Sequence, residues 1–434
     1  MKRYWQRFQE STLAKNAAWL FMGQGLSFVL QAGYFIVLAR LLGSTEYGIY
    51  AAATAFVSIV SQYSSLGSGL VFLQHVSPDH SKFPAYWGNI LISTLGLGSA
   101  LVLAVHLTGH WMVGAASASI LVLVAIGDCV WQQLTSCSGQ VFQTFEKMKI
   151  TATLNMTVNL LRLLIAIGML LALHHATSRQ WAWAALTVST MAALFAFTAV
   201  SVNFGAPKFS LGLFAKRAGD GFIYSVSAST TTIYNDIDKV LLGHFGMMAA
   251  NGVYTMAYRV VNICTMPMVS IYSAAFPKFF RLGTEGMRST VPYARRLLKR
   301  TSVLGVLAAL GMFLTAPLIP HLVGKSFAQS VSALRWLCLI PFFRSFHLSA
   351  GDAIAGAGHQ KFRLISQFIA AAFNFSINLY LIPRYSWLGA AWASLMTDGS
   401  LGAMNWLVAW RLLVREKNKF APTPGSASGG RTAV

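Results

Sequence analysis

Charged residues are scarce in this sequence. Asp, Glu, Lys and Arg make up only 10% of its 434 residues, whereas a soluble domain carries about a quarter. Only twelve residues are acidic, and 55% of the chain is hydrophobic. Apolar windows of about 20 residues, enough to cross a hydrocarbon core of ~30 Å as a helix, recur from end to end. The composition therefore excludes a soluble protein and predicts an all-α polytopic membrane protein.

Residues typical of metal and catalytic sites are also few. The four cysteines, all within apolar segments, lack a neighbouring His or Cys at metal-binding spacing, which is typical of small buried hydrophobic residues. We find no HExxH, GxSxG, phosphate-binding-loop or paired CxxC motif. A membrane-bound polymerase or ligase would need a large external loop, and the loops here are short. We therefore expect no catalytic residue, no metal and no cofactor.

Twelve membrane spans are predicted from the apolar windows. Their positions are 14–39, 48–74, 85–107, 111–138, 151–173, 181–203, 219–243, 250–276, 301–323, 328–356, 362–382 and 386–410. The first sixteen residues are basic and do not resemble a cleavable signal peptide. A Pro-, Gly- and Ser-rich tail over 416–434 is predicted to be disordered.

The positive charges alternate with this topology. If the amino terminus is cytoplasmic, 24 of the 33 Lys and Arg residues fall on the cytoplasmic side, five fall on the outside and four lie within spans. This asymmetry is what the positive-inside rule predicts. It also accounts for the net charge of +21 by interaction with anionic membrane lipids, so no nucleic-acid partner is expected. A basic stretch at 278–300 is interpreted as an amphipathic segment on the membrane surface.

The sequence contains an internal repeat. Leu41-Leu42-Gly43 matches Leu241-Leu242-Gly243 at an offset of 200, and Gly48-Ile49-Tyr50 matches Gly252-Val253-Tyr254 at an offset of 204. The strings KMKI and KFRL open spans five and eleven, and AWAAL and AWASL lie in the spans that follow. These matches predict two parallel six-helix lobes, 1–208 and 209–415. Such repeats favour a transporter with its substrate path at their interface.

The repeated stretches ARLLGSTEYGIYA and DIDKVLLGHF…GVYTMAYRVV resemble the polysaccharide-transporter (Wzx-type O-antigen flippase) family of the multidrug/oligosaccharidyl-lipid/polysaccharide exporter superfamily. The resemblance covers nearly the whole chain in span number and repeat. It implies a bilobed, MATE-like fold with a central cavity. It also implies export of a lipid-linked oligosaccharide, typically on undecaprenyl diphosphate, across the bacterial inner membrane. A polysaccharide polymerase and a chain-length regulator are candidate partners.

Arginines within spans are candidate substrate-binding residues, because an ionisable side chain at mid-membrane normally faces a cavity or a partner. Asn155, Asn159 and Arg162 share one face of span five at i, i+4 and i+7. Arg259 lies in span eight, and Arg344 lies in the middle of span ten. A guanidinium suits a phosphate, since its planar fork matches two oxygens. The alternative is that each arginine pairs with a buried carboxylate and ties helices together.

Carboxylates within spans are candidates for proton or Na⁺ coupling. They are Asp128 in span four, Asp352 in span ten and Asp398 in span twelve. Asp352 follows Arg344 and His347 on a similar face, the densest ionisable stripe in the chain. Each carboxylate is equally a candidate structural partner of an intramembrane arginine.

The outer end of span seven carries Asp236, Asp238 and Lys239. We interpret them as residues near the outer interface, where a salt link would gate the exit. Ser225, Ser229 and Thr232 continue the same polar face inward, either as a cavity wall or as small residues that pack helices.

The predicted function is therefore a flippase for a lipid-linked oligosaccharide, with both termini cytoplasmic. The alternative is a MATE-type, cation-coupled antiporter that exports small organic cations, which would favour carboxylates and aromatic side chains in its cavity over arginines.

Overall fold

The computed structural model describes the backbone of residues 12–419 and the side chains of residues 23 and 25–416. The described chain is built from helices, and no strand is present in this part. The helices are α1 (Thr12–Ser61), α2 (Ser68–Val76), α3 (Phe83–Leu91), α4 (Gly98–Met112), α5 (Ala115–Ala118), α6 (Leu121–Ala125), α7 (Gln133–Thr144), α8 (Met148–Leu173), α9 (Ser178–Phe204), α10 (Leu211–His244), α11 (Met248–Gly283), α12 (Met287–Thr315), α13 (Ile319–Val323), α14 (Ser330–Leu337), α15 (Ile340–Gly356), α16 (Gln360–Tyr385) and α17 (Trp387–Lys419). The predicted all-α class is confirmed.

Two π-helical segments join short helices into long ones. Ile92–Leu97 connects α3 to α4, and Ile126–Gln132 connects α6 to α7. A π-helical turn accommodates an extra residue and is frequent at functional sites. The second segment contains Asp128, the candidate coupling residue of span four, and Gln132.

The predicted spans coincide with helices, with several differences. Span one and the first part of span two form α1, which breaks at Gly43, where φ is 68°, and span two continues in α2 after a turn. The basic stretch 278–300 forms the end of α11 and the first half of α12, which runs without interruption from Met287 into span nine. Its position on the membrane surface stays a prediction. Helix α17 continues to Lys419, so residues 416–419 are helical and not part of a disordered tail. Residues 420–434 of the predicted tail lie outside the described part of the chain.

Among the described helices, seven stretches are long and apolar enough to cross a membrane by length and composition alone. Helix α10, the seventh predicted span, is not one of them, because its Ser, Thr and Asp residues lower its mean hydropathy. The predicted site residues occur in both kinds of helix: Asn159, Arg162 and Arg259 lie in two of the seven apolar stretches, and Asp236, Asp238 and Lys239 lie in α10. The protein is a multi-pass membrane protein.

The chain divides into two compact units. One contains the described residues up to 263 together with 315–336 and 374–393, and the other contains 264–314, 337–373 and the described residues from 394 onward. Segments from the second predicted lobe belong to the first unit because they contact the first lobe: Arg40 donates to the carbonyl oxygens of His321 and Leu322, and Tyr47 packs on Phe327. The lobe boundary at residue 208 stays a prediction from the repeat.

Within the first unit, the two repeated hairpins pack against each other. A Cβ on Gly48 would overlap the carbonyl oxygen of Met248, and a Cβ on Gly252 would overlap that of Ser44. Gly48 and Gly252 are equivalent in the repeat, and each meets the residue four positions before the other. This symmetric contact, the glycine crossing, requires glycine in both copies because backbones touch there.

Candidate functional site

A polar cavity of about 410 Å³ lies within the first unit. Its lining includes the side chains of Asn155, Asn159 and Arg162, which are therefore brought together as the helical spacing predicts. Gln31 and Gln132 line it from α1 and from the end of the second π-helical segment. We call it the Arg162 cavity.

Helix α8 positions the polar stripe by packing closely on α1. A Cβ on Gly23 of α1 would lie 2.6 Å from the Cβ of Ala152 on α8, so the absence of a side chain at Gly23 allows the approach. Ala152 and Val158 are buried on α8, while Arg162 remains half-buried. The cavity thus has a packed helix pair as one wall, and its only charged described lining residue is Arg162.

Arg162 is held by neutral partners. One of its terminal nitrogens donates to Oε1 of Gln132 at 3.2 Å and to Oγ of Ser189 at 3.3 Å. Its buried Nε has no hydrogen-bond partner among the described residues. Within the described part of the chain, no carboxylate oxygen lies within 4.0 Å of its guanidinium. For Arg162, the described residues therefore do not form the alternative arrangement, a direct ion pair with a buried carboxylate.

Asp128 lies near Arg162 without forming an ion pair. The two side chains interact electrostatically, and Asp128 is half-buried within the π-helical segment. Asp128 is not among the residues that line the Arg162 cavity. Its suggested role in coupling stays a prediction.

Arg259 approaches the same region from α11. Its guanidinium lies over the ring of Phe35, 4.1 Å from the centroid, an arrangement in which the cation interacts with the ring face. Arg162 and Arg259 both interact electrostatically with Tyr34 and Tyr50 of α1. Both arginines therefore lie near the same two tyrosines, which the sequence does not single out.

Asp352, Arg344 and Asp398 lie in the second unit. Asp352 is buried and pairs with Arg363 of α16, with Nη1 and Oδ1 3.0 Å apart. Of the two alternatives for Asp352, a coupling role stays a prediction, and its ion-pair partner is Arg363 and not one of the three arginines considered. Arg363 lies at the very start of predicted span eleven, so hydropathy alone does not reveal the pair.

Arg344 and Asp398 belong to a second cluster of this unit. Arg344 is half-buried on α15 and interacts electrostatically with His347. His347 Nε2 lies 3.8 Å from Oδ1 of Asp398, which is buried on α17. Asn405, two helical turns after Asp398 on α17, donates to the carbonyl oxygen of His347 at 3.3 Å. The stripe on span ten is thus tied to span twelve, and its role in substrate binding stays a prediction.

The charges of span seven form a network within the first unit. Lys239 Nζ donates to Oδ1 of Asp236 at 2.6 Å and lies over the Tyr258 ring. Tyr254 donates to Asp238. Asp238 and Lys239 are 2% and 7% exposed, which corrects the expectation that these charges are tolerated because they lie at a solvated outer end.

This network reaches the other repeat. Ser58 donates to Oδ2 of Asp236 at 3.3 Å, and Nδ2 of Asn251 donates to the carbonyl oxygens of Gly48 and Lys239 at 3.0 and 3.1 Å. The predicted salt link between Asp236 and Lys239 is present, with hydrogen bonds that span the two repeated hairpins.

A family model described as "Polysaccharide biosynthesis protein" matches residues 13–283, more than half of the chain. A "Probable flippase AglR" from Haloferax volcanii is 27% identical over 231 residues, which cover 50% of this chain and 47% of that protein. An "Uncharacterized membrane protein MJ1068" from Methanocaldococcus jannaschii is 23% identical over 186 residues, 42% of this chain and 37% of that protein. The chain thus matches less than half the length of these curated relatives.

Two solved structures have the same fold. The inward-closed structure of the lipid II flippase MurJ gives a TM-score of 0.73 at 14% identity, covering 93% of both chains. An inward-facing multidrug resistance MATE family transporter of the MOP superfamily gives a TM-score of 0.73 at 13% identity, covering 91% of this chain and 96% of that chain. The two structural similarities establish the fold of the chain. The family match establishes the family to which the chain belongs. The chain belongs to the polysaccharide biosynthesis protein family and has the fold of the MOP superfamily.

Proposed function

We propose that the protein is a flippase that moves a lipid-linked oligosaccharide, carried on undecaprenyl diphosphate, from the cytoplasmic to the periplasmic leaflet for surface polysaccharide biosynthesis. In this proposal it resides in the bacterial inner membrane with both termini in the cytoplasm. A polysaccharide polymerase and a chain-length regulator would act on the product outside.

The Arg162 cavity is the observation that carries the proposal. Its described lining combines one arginine with amide and hydroxyl side chains and contains no Asp or Glu. A guanidinium with an unpartnered Nε donates well to phosphate oxygens, and amides donate to and accept from hydroxyl groups. The cavity therefore suits an anionic, hydroxyl-rich ligand better than an organic cation.

The membrane potential favours the proposed outward direction of transport. Moving one negative charge outward across an inside-negative membrane is favourable by about 2.3 kcal/mol per 100 mV. A diphosphate with about two charges gains about twice that. In this mechanism Arg162 and Arg259 attract the diphosphate, Arg344 contributes from the second unit, and alternating access exposes the glycan outside. Cation coupling through Asp128, Asp352 or Asp398 would serve the return step.

The experiment that tests the proposal measures flipping of a prenyl-diphosphate-linked glycan in proteoliposomes. Arg162→Gln should reduce binding of the lipid diphosphate about 10- to 100-fold, because a hydrogen bond to a charged group contributes about 1.5–3 kcal/mol. Arg179→Gln is the matched control, since Arg179 is exposed in the first turn of α9. Wild-type export by Arg162→Ala and also by Arg344→Ala, at matched protein abundance, would contradict the cationic-cavity mechanism.

A cation-coupled antiporter is the second candidate function, favoured by the half-buried carboxylate of Asp128 beside the cavity region. This function would be supported if the purified protein binds a cationic dye and does not bind lipid diphosphates. In that case Asp128→Asn should abolish dye transport, and Arg162→Gln should leave it intact.

The Asp236–Lys239 pair is proposed to gate the exit. The pair lies within helix α10, and its contact with the other hairpin supports this role, because the hydrogen bond from Ser58 to Asp236 must break if the hairpins separate. Exchanging the two residues, in the variant Asp236→Lys with Lys239→Asp, should slow transport while protein abundance stays unchanged. Wild-type flipping by the exchanged variant would count against gating.

A further inference from the structure

A second polar cleft of about 370 Å³ lies beside the Arg162 cavity within the first unit. Four glutamines contribute to its lining: Gln62, Gln132, Gln133 and Gln140. No Lys, Arg, Asp or Glu is among its described lining residues. We call it the glutamine cleft, and its lack of charge distinguishes it from the neighbouring cavity.

Gln132 connects the two spaces. It lines both of them, and its Oε1 accepts the hydrogen bond from Arg162. A ligand held by phosphate oxygens at Arg162 therefore has an adjoining uncharged space for the group attached to that phosphate. In a lipid-linked oligosaccharide this group is a sugar.

The lining of the cleft has unused hydrogen-bonding capacity. Ser225 is 2% exposed, and its Oγ has no hydrogen-bond partner among the described residues. Nε2 of Gln62 donates to the carbonyl oxygen of Ser58 at 3.1 Å, which leaves Oε1 of Gln62 as an acceptor. A buried hydroxyl without a partner costs free energy unless a ligand or water satisfies it.

The cleft is shaped around its glutamines. A Cβ on Gly69 would overlap Oε1 of Gln140 and lie close to Sγ of Cys137. Gly69 thus lets the Gln140 amide lie against the backbone of α2. Tyr224 of α10 also lines the cleft and is 39% exposed.

We propose that the glutamine cleft binds the first sugars of the glycan, through amide and hydroxyl contacts to neutral sugar hydroxyl groups. Each amide both donates and accepts, so a row of glutamines matches vicinal hydroxyls that do the same. The absence of charge favours neutral sugars over acidic or amino sugars. This inference rests on the proposed flippase function. It assigns a binding site to the sugar, the part of the substrate that Arg162 does not bind.

The test measures how tightly the purified full-length protein binds two kinds of probe. One is farnesyl diphosphate, and the other is the same lipid diphosphate bearing one glucose, galactose or N-acetylglucosamine. Wild type should bind at least one glycosylated probe about tenfold tighter than the bare diphosphate. Gln62→Leu and Gln140→Leu should each reduce this preference about fivefold, the effect of a lost neutral hydrogen bond, and leave binding of the bare diphosphate unchanged.

Gln74→Leu is the control, because Gln74 is exposed on α2 and is not among the residues lining the cleft. Gly69→Ala gives a second test by displacing the Gln140 amide without removing it, and it should reduce the preference as well. Equal binding of bare and glycosylated probes by wild type, or an unchanged preference in both glutamine variants, would overturn the inference while the flippase proposal stands. Failure of wild type to bind either probe would overturn the flippase proposal and the inference with it.

Discussion

The two repeated hairpins have the same crossing but different interiors. In the first copy, Leu38 and Ala39 are fully buried. At the offset of 200, the second copy carries Asp238 and Lys239 in their place, and both are buried as well. One copy thus packs apolar side chains where the other buries an ionic network.

The turns of the two hairpins also differ. The first copy breaks at Gly43, with φ of 68°, directly after the shared Leu-Leu pair. The second continues through Gly243 and turns at Gly246, with φ of 71°. The four additional residues of the second hairpin therefore lengthen the connection between its helices and leave the glycine crossing intact. The comparison indicates that the crossing constrains the backbone, while the interior of each copy tolerates different chemistry.

The largest expected effect comes from breaking the ionic interior of the second copy. Lys239→Met removes the cation and leaves Asp238 buried without it, which should lower the free energy of unfolding by about 3–5 kcal/mol. Chemical denaturation in detergent micelles measures this change. The double variant Asp238→Leu with Lys239→Ala reproduces the residues of the first copy, and it should cost less because no uncompensated charge stays at position 238. A double variant as unstable as Lys239→Met would contradict this account.

An intermediate effect is expected at the glycine crossing. Gly48→Ala and Gly252→Ala each place a methyl group onto a backbone carbonyl, and overpacking of this kind costs about 1–3 kcal/mol. Because the contact is symmetric, the two substitutions should lower the free energy of unfolding by similar amounts. Gly168→Ala on α8 is the control, since a Cβ there meets no atom within 4 Å. Strongly unequal losses from the two copies would show that the symmetry does not extend to energetics.

The smallest effect is expected at the two turn glycines. Gly43→Ala and Gly246→Ala each force alanine to a positive φ, at a cost of about 1 kcal/mol or slightly more. A Cβ meets no atom within 4 Å at Gly246 and only the Ser326 hydroxyl, at 3.8 Å, at Gly43. The loss in unfolding free energy should therefore come from the backbone alone. It should be the larger of the two at Gly43, whose φ of 68° and ψ of 173° lie in a region that is essentially restricted to glycine, and Gly43→Asn should not restore it.

Much of the fold is readable from the sequence because a membrane span is set by length and hydropathy. The stripe Asn155–Asn159–Arg162 was found for a similar reason, since a helical period of 3.6 places those residues on one face. Partners on other helices were not readable. Arg363 pairs with Asp352 eleven residues away across a turn, and no periodicity connects them.

The glutamine cleft was missed because amides carry no charge that demands a partner and its walls come from distant parts of the chain. Gln62 and Gln140 are 78 positions apart, and both line the cleft only because the turn after α1 lies near α7 in the folded chain. The buried position of Lys239 was missed for the opposite reason. A charge near the end of an apolar segment is normally explained by solvent, and only the packed hairpins show that this one is enclosed.

The π-helical segment Ile126–Gln132 has a consequence for how the protein can change in evolution. Such a segment contains one residue more than a regular helix of the same length. Deleting a single residue there would return the segment to regular α-helix, and the following side chains of α7 would keep their face. The same deletion in a regular helix would turn every following side chain by about 100°. Gln133 and Gln140 would therefore stay at the cleft, and the segment is a place where one codon can be lost or gained inside a helix without exchanging the lining of this wall.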